Sequence, residues 1–165
     1  MITPTTATIR AESYRTAIRH IDADVEVYGR ACPLFVPLVE EGLFDSDITR
    51  LVAQRYLYQL VDMGIDCLIL GCTHYPLLIE VIQETVGNRI QLVDSALWTA
   101  KEAQDILSAL DALSAHASGG LDRSIFHVTD LGPSFEECAS VFMGTRLPNA
   151  RKVTLDQLDT AVKAA

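Results

Sequence analysis

Cysteines, basic residues and long apolar runs are scarce in this sequence of 165 residues. Only four cysteines occur, and no two have the CxxC spacing found in many metal and redox sites. At 49% hydrophobic residues the chain can bury a core without disulfide staples, so we expect reduced thiols. No apolar run approaches the ~18 residues that cross a bilayer. The first residues lack the basic start and apolar stretch of a signal peptide, so we expect a cytoplasmic protein with no membrane contact.

Basic side chains are outnumbered, because 13 lysines and arginines stand against 22 aspartates and glutamates, for a net charge of −9. A surface this acidic repels phosphates and anionic lipids, which argues against a nucleic acid partner. An anionic substrate would need local help, such as backbone N–H groups at the start of a helix.

Apolar periodicity alternates between strand and helix spacing over the first two thirds of the chain. The predicted helices span residues 8–21, 33–41, 47–63, 74–86 and 94–115, and the predicted strands span residues 25–29, 67–71 and 90–93. This alternation predicts right-handed βαβ units and an α/β fold with a mainly parallel sheet between two layers of helices. Ligands of such sheets bind at the carboxyl ends of the strands.

A glycine-containing stretch over residues 116–123 is the clearest linker, and it separates a domain at 1–115 from a segment at 124–165. Within that segment, strands are predicted over residues 124–129 and 151–155, and helices over residues 133–143 and 156–164. The segment is too small to bury a core of its own, so we expect it to pack on another domain.

The residues with the most chemical potential follow the predicted strand at 67–71. Gly71 lets the backbone approach a ligand closely, and Cys72, Thr73 and His74 come next, at the start of a predicted helix. A thiol beside a histidine at a helix start is an environment that favours the thiolate, and His74 could pass protons to the sulfur or to a substrate.

Simpler interpretations stay open for each reactive residue. Cys72 and His74 could be a buried thiol and a satisfied core histidine, and a zinc site is disfavoured because no second pair completes four ligands. Cys32 and Cys67 are expected in the core. The remaining histidines, at 20, 116 and 127, are expected to be structural.

Three segments together resemble bacterial glutamate racemases, and specifically their C-terminal half. The segment from Gly71 to Leu78, Gly-Cys-Thr-His-Tyr-Pro-Leu-Leu, looks like the family's second cysteine motif. The segments from Ala31 to Gly42 and from Phe126 to Asp130 resemble two further stretches of the family, in the same order. The resemblance runs from about Thr5 to the end of the chain.

This resemblance implies the second domain of a two-domain, Rossmann-like racemase fold, followed by a C-terminal tail. It also implies cofactor-independent interconversion of L- and D-glutamate for peptidoglycan, without a metal, by two cysteines on opposite faces of the substrate. Carried over by position, Cys72 is the second cysteine and His74 its assisting histidine, Thr73 contacts a carboxylate, and Glu40 lines the site. Thr5 and Thr8 match the threonines at the start of this domain.

The chain departs from the family in one large respect. The family's aspartate-serine-glycine start and its cysteine-asparagine-threonine motif do not occur in it. Two other functions therefore stay open: racemisation of aspartate or a related acidic amino acid, and a non-catalytic truncated module. Because half of the two-domain fold would leave apolar surface uncovered, we also expect a homo-oligomer.

Overall fold

A computed structural model describes residues 1–3, 5–10, 12–114, 121 and 124–157. The chain divides into two compact units, 1–111 and 112–165. The elements of the first unit are β1 (Ile2–Thr3), α1 (Thr6–Arg10), α2 (Ser13–Ile21), β2 (Arg30–Ala31), α3 (Phe35–Glu40), α4 (Asp47–Asp62), β3 (Cys67–Leu70), a 3₁₀ turn (Tyr75–Leu78), α5 (Ile79–Val86), β4 (Gln91–Asp94) and α6 (Ser95–Ala109).

The strands of the first unit form one four-stranded sheet in the order β2-β1-β3-β4, with every neighbouring pair parallel. Ile2 pairs with Arg30 on one side and with Leu70 on the other, and Leu70 in turn pairs with Asp94. The α/β fold with a parallel sheet, expected from the alternation of elements, is confirmed. All four strands point the same way, so their carboxyl ends lie along one edge.

Helix α4 forms where the sequence predicts it. The Ser46 hydroxyl accepts a hydrogen bond from the Thr49 N–H at 3.2 Å, which satisfies one of the donors left open at a helix start. Ala53, Leu57 and Leu60 are buried, at spacings that place them on one side of the helix. The core continues through the buried strand residues of β3 and through α5.

Two predictions in the first thirty residues are wrong. The helix expected over 8–21 is two helices, α1 and α2, because Glu12 adopts a left-handed conformation (φ 51°) that a continuous helix cannot contain. The strand expected over 25–29 is absent, and β2 lies at Arg30–Ala31 instead. The ladder with β1 forms at Arg30–Ala31, flanked by the Arg30 N–H to Met1 carbonyl and Cys32 N–H to Thr3 carbonyl hydrogen bonds.

Two further helices differ at their ends. The expected helix over 74–86 begins as a 3₁₀ turn, in which the Leu77 N–H donates to the His74 carbonyl oxygen at 3.2 Å, and α5 starts only at Ile79. Pro76 is tolerated in this first turn, because the N–H groups at a helix start have no partner within the helix. Helix α6 ends at Ala109 rather than near residue 115, because Asp111 turns the backbone to φ 52°.

The second unit contains β5 (Phe126–Val128), α7 (Pro133–Met143) and β6 (Ala150–Lys152). Strands β5 and β6 pair in parallel, and α7 has the bounds predicted from the sequence. The linker at 116–123 and the last predicted helix at 156–164 lie almost wholly outside the described residues. Within the described part of the chain, no helix is long and apolar enough to span a membrane.

Candidate active site

The predicted site residues follow the carboxyl ends of neighbouring strands. Thr5 follows β1, and Cys72 follows β3, the strand beside it. The two strand ends touch, because the Gly71 N–H donates to the Ile2 carbonyl oxygen at 2.9 Å. A Cβ atom on Gly71 would lie 2.9 Å from that same oxygen, so only glycine fits this approach.

Cys72 and His74 lie side by side in the loop after β3. The Cys72 Sγ is 3.9 Å from the His74 Nδ1, and the Thr73 hydroxyl oxygen is 3.4 Å from the same nitrogen. The α-helix expected at this point starts only at Ile79, and the field of a helix end fades within about one turn. The sulfur therefore lies beside an imidazole rather than beside the start of an α-helix.

Glu40 reaches the other nitrogen of the same imidazole. It is the last residue of α3, and its Oε1 lies 3.8 Å from the His74 Nε2. The separation is that of an ion pair rather than of a hydrogen bond. The imidazole of His74 thus lies between the Cys72 sulfur on one side and the Glu40 carboxylate on the other.

Tyr75 anchors the loop that carries these side chains. Its ring is fully buried and packs edge-on against Phe35, with the two ring centroids 5.3 Å apart. Its hydroxyl donates to the Cys32 carbonyl oxygen at 3.1 Å, and burial raises the pKa of this phenol above its usual range. Tyr75 thus ties the loop after β3 to the end of β2, close to α3 and Glu40.

Thr5 and Thr8 form a small hydroxyl cluster after β1. Their hydroxyl oxygens are 3.1 Å apart, and the Thr5 hydroxyl accepts from the Thr8 N–H at 3.2 Å, which caps the short helix α1. Thr5 is exposed and Thr8 half-buried, so both hydroxyls can reach solvent or a ligand. The cluster lies at the same edge of the sheet as Cys72, one strand away.

The other cysteines and histidines lie outside this cluster. Cys32 is buried, as expected, and burial raises its pKa to about 12, so it stays a neutral thiol. Cys67 was expected in the core, but it is exposed at the amino end of β3, where it lines a cavity of about 490 Å³. The first residue of a strand lies at the end of the sheet, where fewer neighbouring side chains cover it than cover the middle of the strand. Cys138, on α7, is half-buried.

No metal centre is apparent in the part of the chain that the structure describes, where no group of three or more His, Cys, Asp or Glu side chains could hold an ion. His20 and His127 are exposed, and His116 lies outside the described residues. Sequence reasoning missed the anchoring role of Tyr75, because nothing in its neighbours along the chain indicates a hydrogen bond to Cys32.

A family model matches residues 1–103, and its description is Asp/Glu/Hydantoin racemase. Among curated proteins, the chain is 43% identical over 152 residues to the glutamate racemase of Geobacter metallireducens, covering 92% of this chain and 56% of that protein. It is also 43% identical over 149 residues to the glutamate racemase of Chlorobaculum tepidum, covering 90% and 54%. The chain thus spans about half the length of the curated relatives it matches.

Solved structures agree with these relatives. The Francisella tularensis glutamate racemase in complex with D-glutamate superposes with a TM-score of 0.83 at 34% identity, over 94% of this chain and 57% of that one. The Thermus thermophilus glutamate racemase in complex with beta-chloro-D-alanine gives 0.77 at 36% identity, over 94% and 56%. The family match covers most of the first unit, including β3 and the Cys72–His74 loop after it. The chain therefore belongs to the Asp/Glu/Hydantoin racemase family.

Proposed function

We propose that this chain provides one face of the active site of a glutamate racemase that uses no cofactor. The observation that carries the proposal is the arrangement around His74, with the Cys72 sulfur 3.9 Å from one ring nitrogen and the Glu40 carboxylate 3.8 Å from the other. A thiol, a base for its proton and a counter-charge for that base are the groups that a proton transfer to carbon needs.

The proposed reaction moves one proton off the α-carbon of glutamate and one proton on. In one direction the Cys72 thiolate removes the α-proton from its face, and a second thiol delivers a proton to the opposite face. In the other direction Cys72, as a thiol, delivers the proton. His74 takes up or returns the Cys72 proton, and Glu40 stabilises the imidazolium while it exists.

Glutamate is the proposed substrate because of the hydroxyls around the thiol and because of the relatives. We propose that the hydroxyls of Thr73, Thr5 and Thr8 donate to the substrate carboxylates. The Francisella tularensis relative is a glutamate racemase in complex with D-glutamate. Aspartate or a related acidic amino acid is the alternative substrate, since it presents the same carboxylates with a shorter chain.

The test is a fusion enzyme, in which the portion of the Geobacter metallireducens protein that this chain does not match precedes this chain. We expect the fusion enzyme to erase the circular dichroism of L-glutamate and of D-glutamate with no added cofactor. L-aspartate assayed in parallel distinguishes the two substrates. A folded fusion enzyme that racemises neither amino acid would leave the non-catalytic module as the better account.

We further propose that the chain is cytoplasmic and forms a homo-oligomer. Several large apolar side chains are exposed. The exposed fraction is 65% for Leu51 on α4, 66% for Leu97 on α6 and 69% for Leu110, which directly follows α6. None of the residues of α6 is buried. A helix without buried residues that exposes large apolar side chains is a candidate association surface, because such side chains gain from being covered.

Sedimentation equilibrium over a range of concentrations measures the association. We expect a dimer or larger species for the unmodified chain and a shift toward monomer for Leu97→Glu, which puts a charge on the exposed apolar surface of α6. Gln104→Glu adds the same charge at an exposed polar position of the same helix, and it should leave the association unchanged. A monomer at every concentration would contradict the proposal.

A further inference from the structure

The end of β3 is held by a side chain from the first residue of α6, the helix that follows the neighbouring strand β4. Leu70 pairs with Asp94 as the last residue of the β3–β4 ladder. Asp94 caps α6, because its carboxylate accepts a hydrogen bond from the Ala96 N–H at 2.8 Å. The Ser95 hydroxyl is thereby left for another partner, and it donates to the Leu70 carbonyl oxygen at 2.8 Å.

The same strand end is fixed from the β1 side. The Gly71 N–H donates to the Ile2 carbonyl oxygen at 2.9 Å, and the Tyr14 hydroxyl oxygen lies 3.4 Å from where a Gly71 Cβ would be. These contacts leave little room for β3 to move toward β1. On the opposite side, the Ser95 hydroxyl restrains the end of β3 at Leu70, two residues before Cys72.

We propose that Ser95 is a positioning residue for Cys72, which holds the end of β3 so that the sulfur stays within reach of His74. This inference rests on the proposed function and names a further residue of the same site. The separation of 3.9 Å between Cys72 Sγ and His74 Nδ1 is near the upper limit for a hydrogen bond to sulfur. A small displacement of the strand end would break the contact, and misplacement of about 1 Å is enough to cost a site most of its rate.

The test uses this chain and follows the alkylation of its thiols by iodoacetamide at neutral pH. Peptide mass spectrometry measures Cys72 and Cys67 separately, and Cys67 is an internal reference because it lies at the other end of the same strand. His74→Gln removes the base and should slow Cys72 alkylation by about tenfold, less than the roughly 100-fold that a positioned base gives in a closed active site.

Ser95→Ala should slow Cys72 alkylation by about fivefold and leave Cys67 unchanged, because the misplaced sulfur loses the help of His74. The double variant should react no more slowly than His74→Gln alone, since the two substitutions remove the same interaction. Ser95→Thr keeps the hydroxyl and should restore the rate. Thr99→Ala removes a hydroxyl bond to the Ser95 carbonyl oxygen, within α6 only, and should have no effect.

Three outcomes would overturn the inference: an unchanged Cys72 rate in Ser95→Ala, a double variant with fully additive losses, or an equal change at Cys67, which would mean that Ser95 supports only the fold. Alkylation requires neither substrate nor turnover. A fusion enzyme that fails to racemise glutamate would therefore sink the proposed function and leave this result standing.

Discussion

Replacing Cys72 by alanine in the fusion enzyme is expected to stop racemisation in both directions. Each direction uses this sulfur once, as the base that removes the α-proton or as the acid that returns it. A positioned acid–base group contributes roughly 10²–10⁴-fold to a rate, so the loss should be at least about 100-fold from either enantiomer. Circular dichroism of L-glutamate and of D-glutamate, measured separately, gives the two rates.

Cys67→Ala is the matched control for this substitution. It removes a sulfur from the first residue of β3, at the amino end of the sheet and exposed to solvent, whereas Cys72 follows the carboxyl end of the same strand. The fusion enzyme should keep its rate when Cys67 is replaced. If Cys72→Ala retained a large part of the rate while the protein stayed folded, Cys72 would be a structural thiol and the site assignment would be wrong.

Much of the fold could be predicted because several local signals agreed with the tertiary structure. The serine at 46 caps α4, whose apolar residues then recur at helical spacing, and an uninterrupted apolar run forms β3. The helix at 133–143 begins with a proline and ends at Gly144, which has a positive φ of 65°. In these places the backbone does what its own residues favour.

The errors occur where distant contacts decide the outcome. The stretch 25–29 has the composition of a strand, yet only Arg30 and Ala31 meet the ladder of β1. Similarly, a periodic pattern could not reveal that Glu12 takes a left-handed conformation between α1 and α2. Pairing and backbone direction in these segments depend on residues remote in sequence.

The candidate site shows the same division. Cys72, Thr73 and His74 are adjacent in the chain, so their chemistry was visible as a motif. The approach of Glu40 to His74 depends on where α3 ends relative to the loop after β3. The resemblance to a family indicated only that Glu40 lines the site. The bond from Ser95 to Leu70 joins the start of α6 to the end of β3 and had no signal in the sequence.

This chain by itself is expected not to racemise glutamate. The proposed reaction needs two thiols on opposite faces of one α-carbon, and of the two cysteines that follow strand ends in the first unit only Cys72 is accessible. Cys32 is buried, with a pKa raised to about 12. Cys67 begins the strand that Cys72 follows, which at about 3.3 Å per residue places it roughly 15 Å from the site.

A site with one face also stays open to water, which weakens the electrostatic help that His74 and Glu40 can give. The prediction is checked with purified chain and L-glutamate, followed by circular dichroism, beside the fusion enzyme at the same concentration. The chain should give no change above buffer while the fusion enzyme does. Turnover that survives repurification, and that disappears in Cys72→Ala, would instead mean that a second thiol reaches the substrate from elsewhere, with Cys138 or a second copy of the chain as its source. Cys138→Ala would then distinguish these two sources, because the substitution abolishes turnover only if Cys138 is the second thiol.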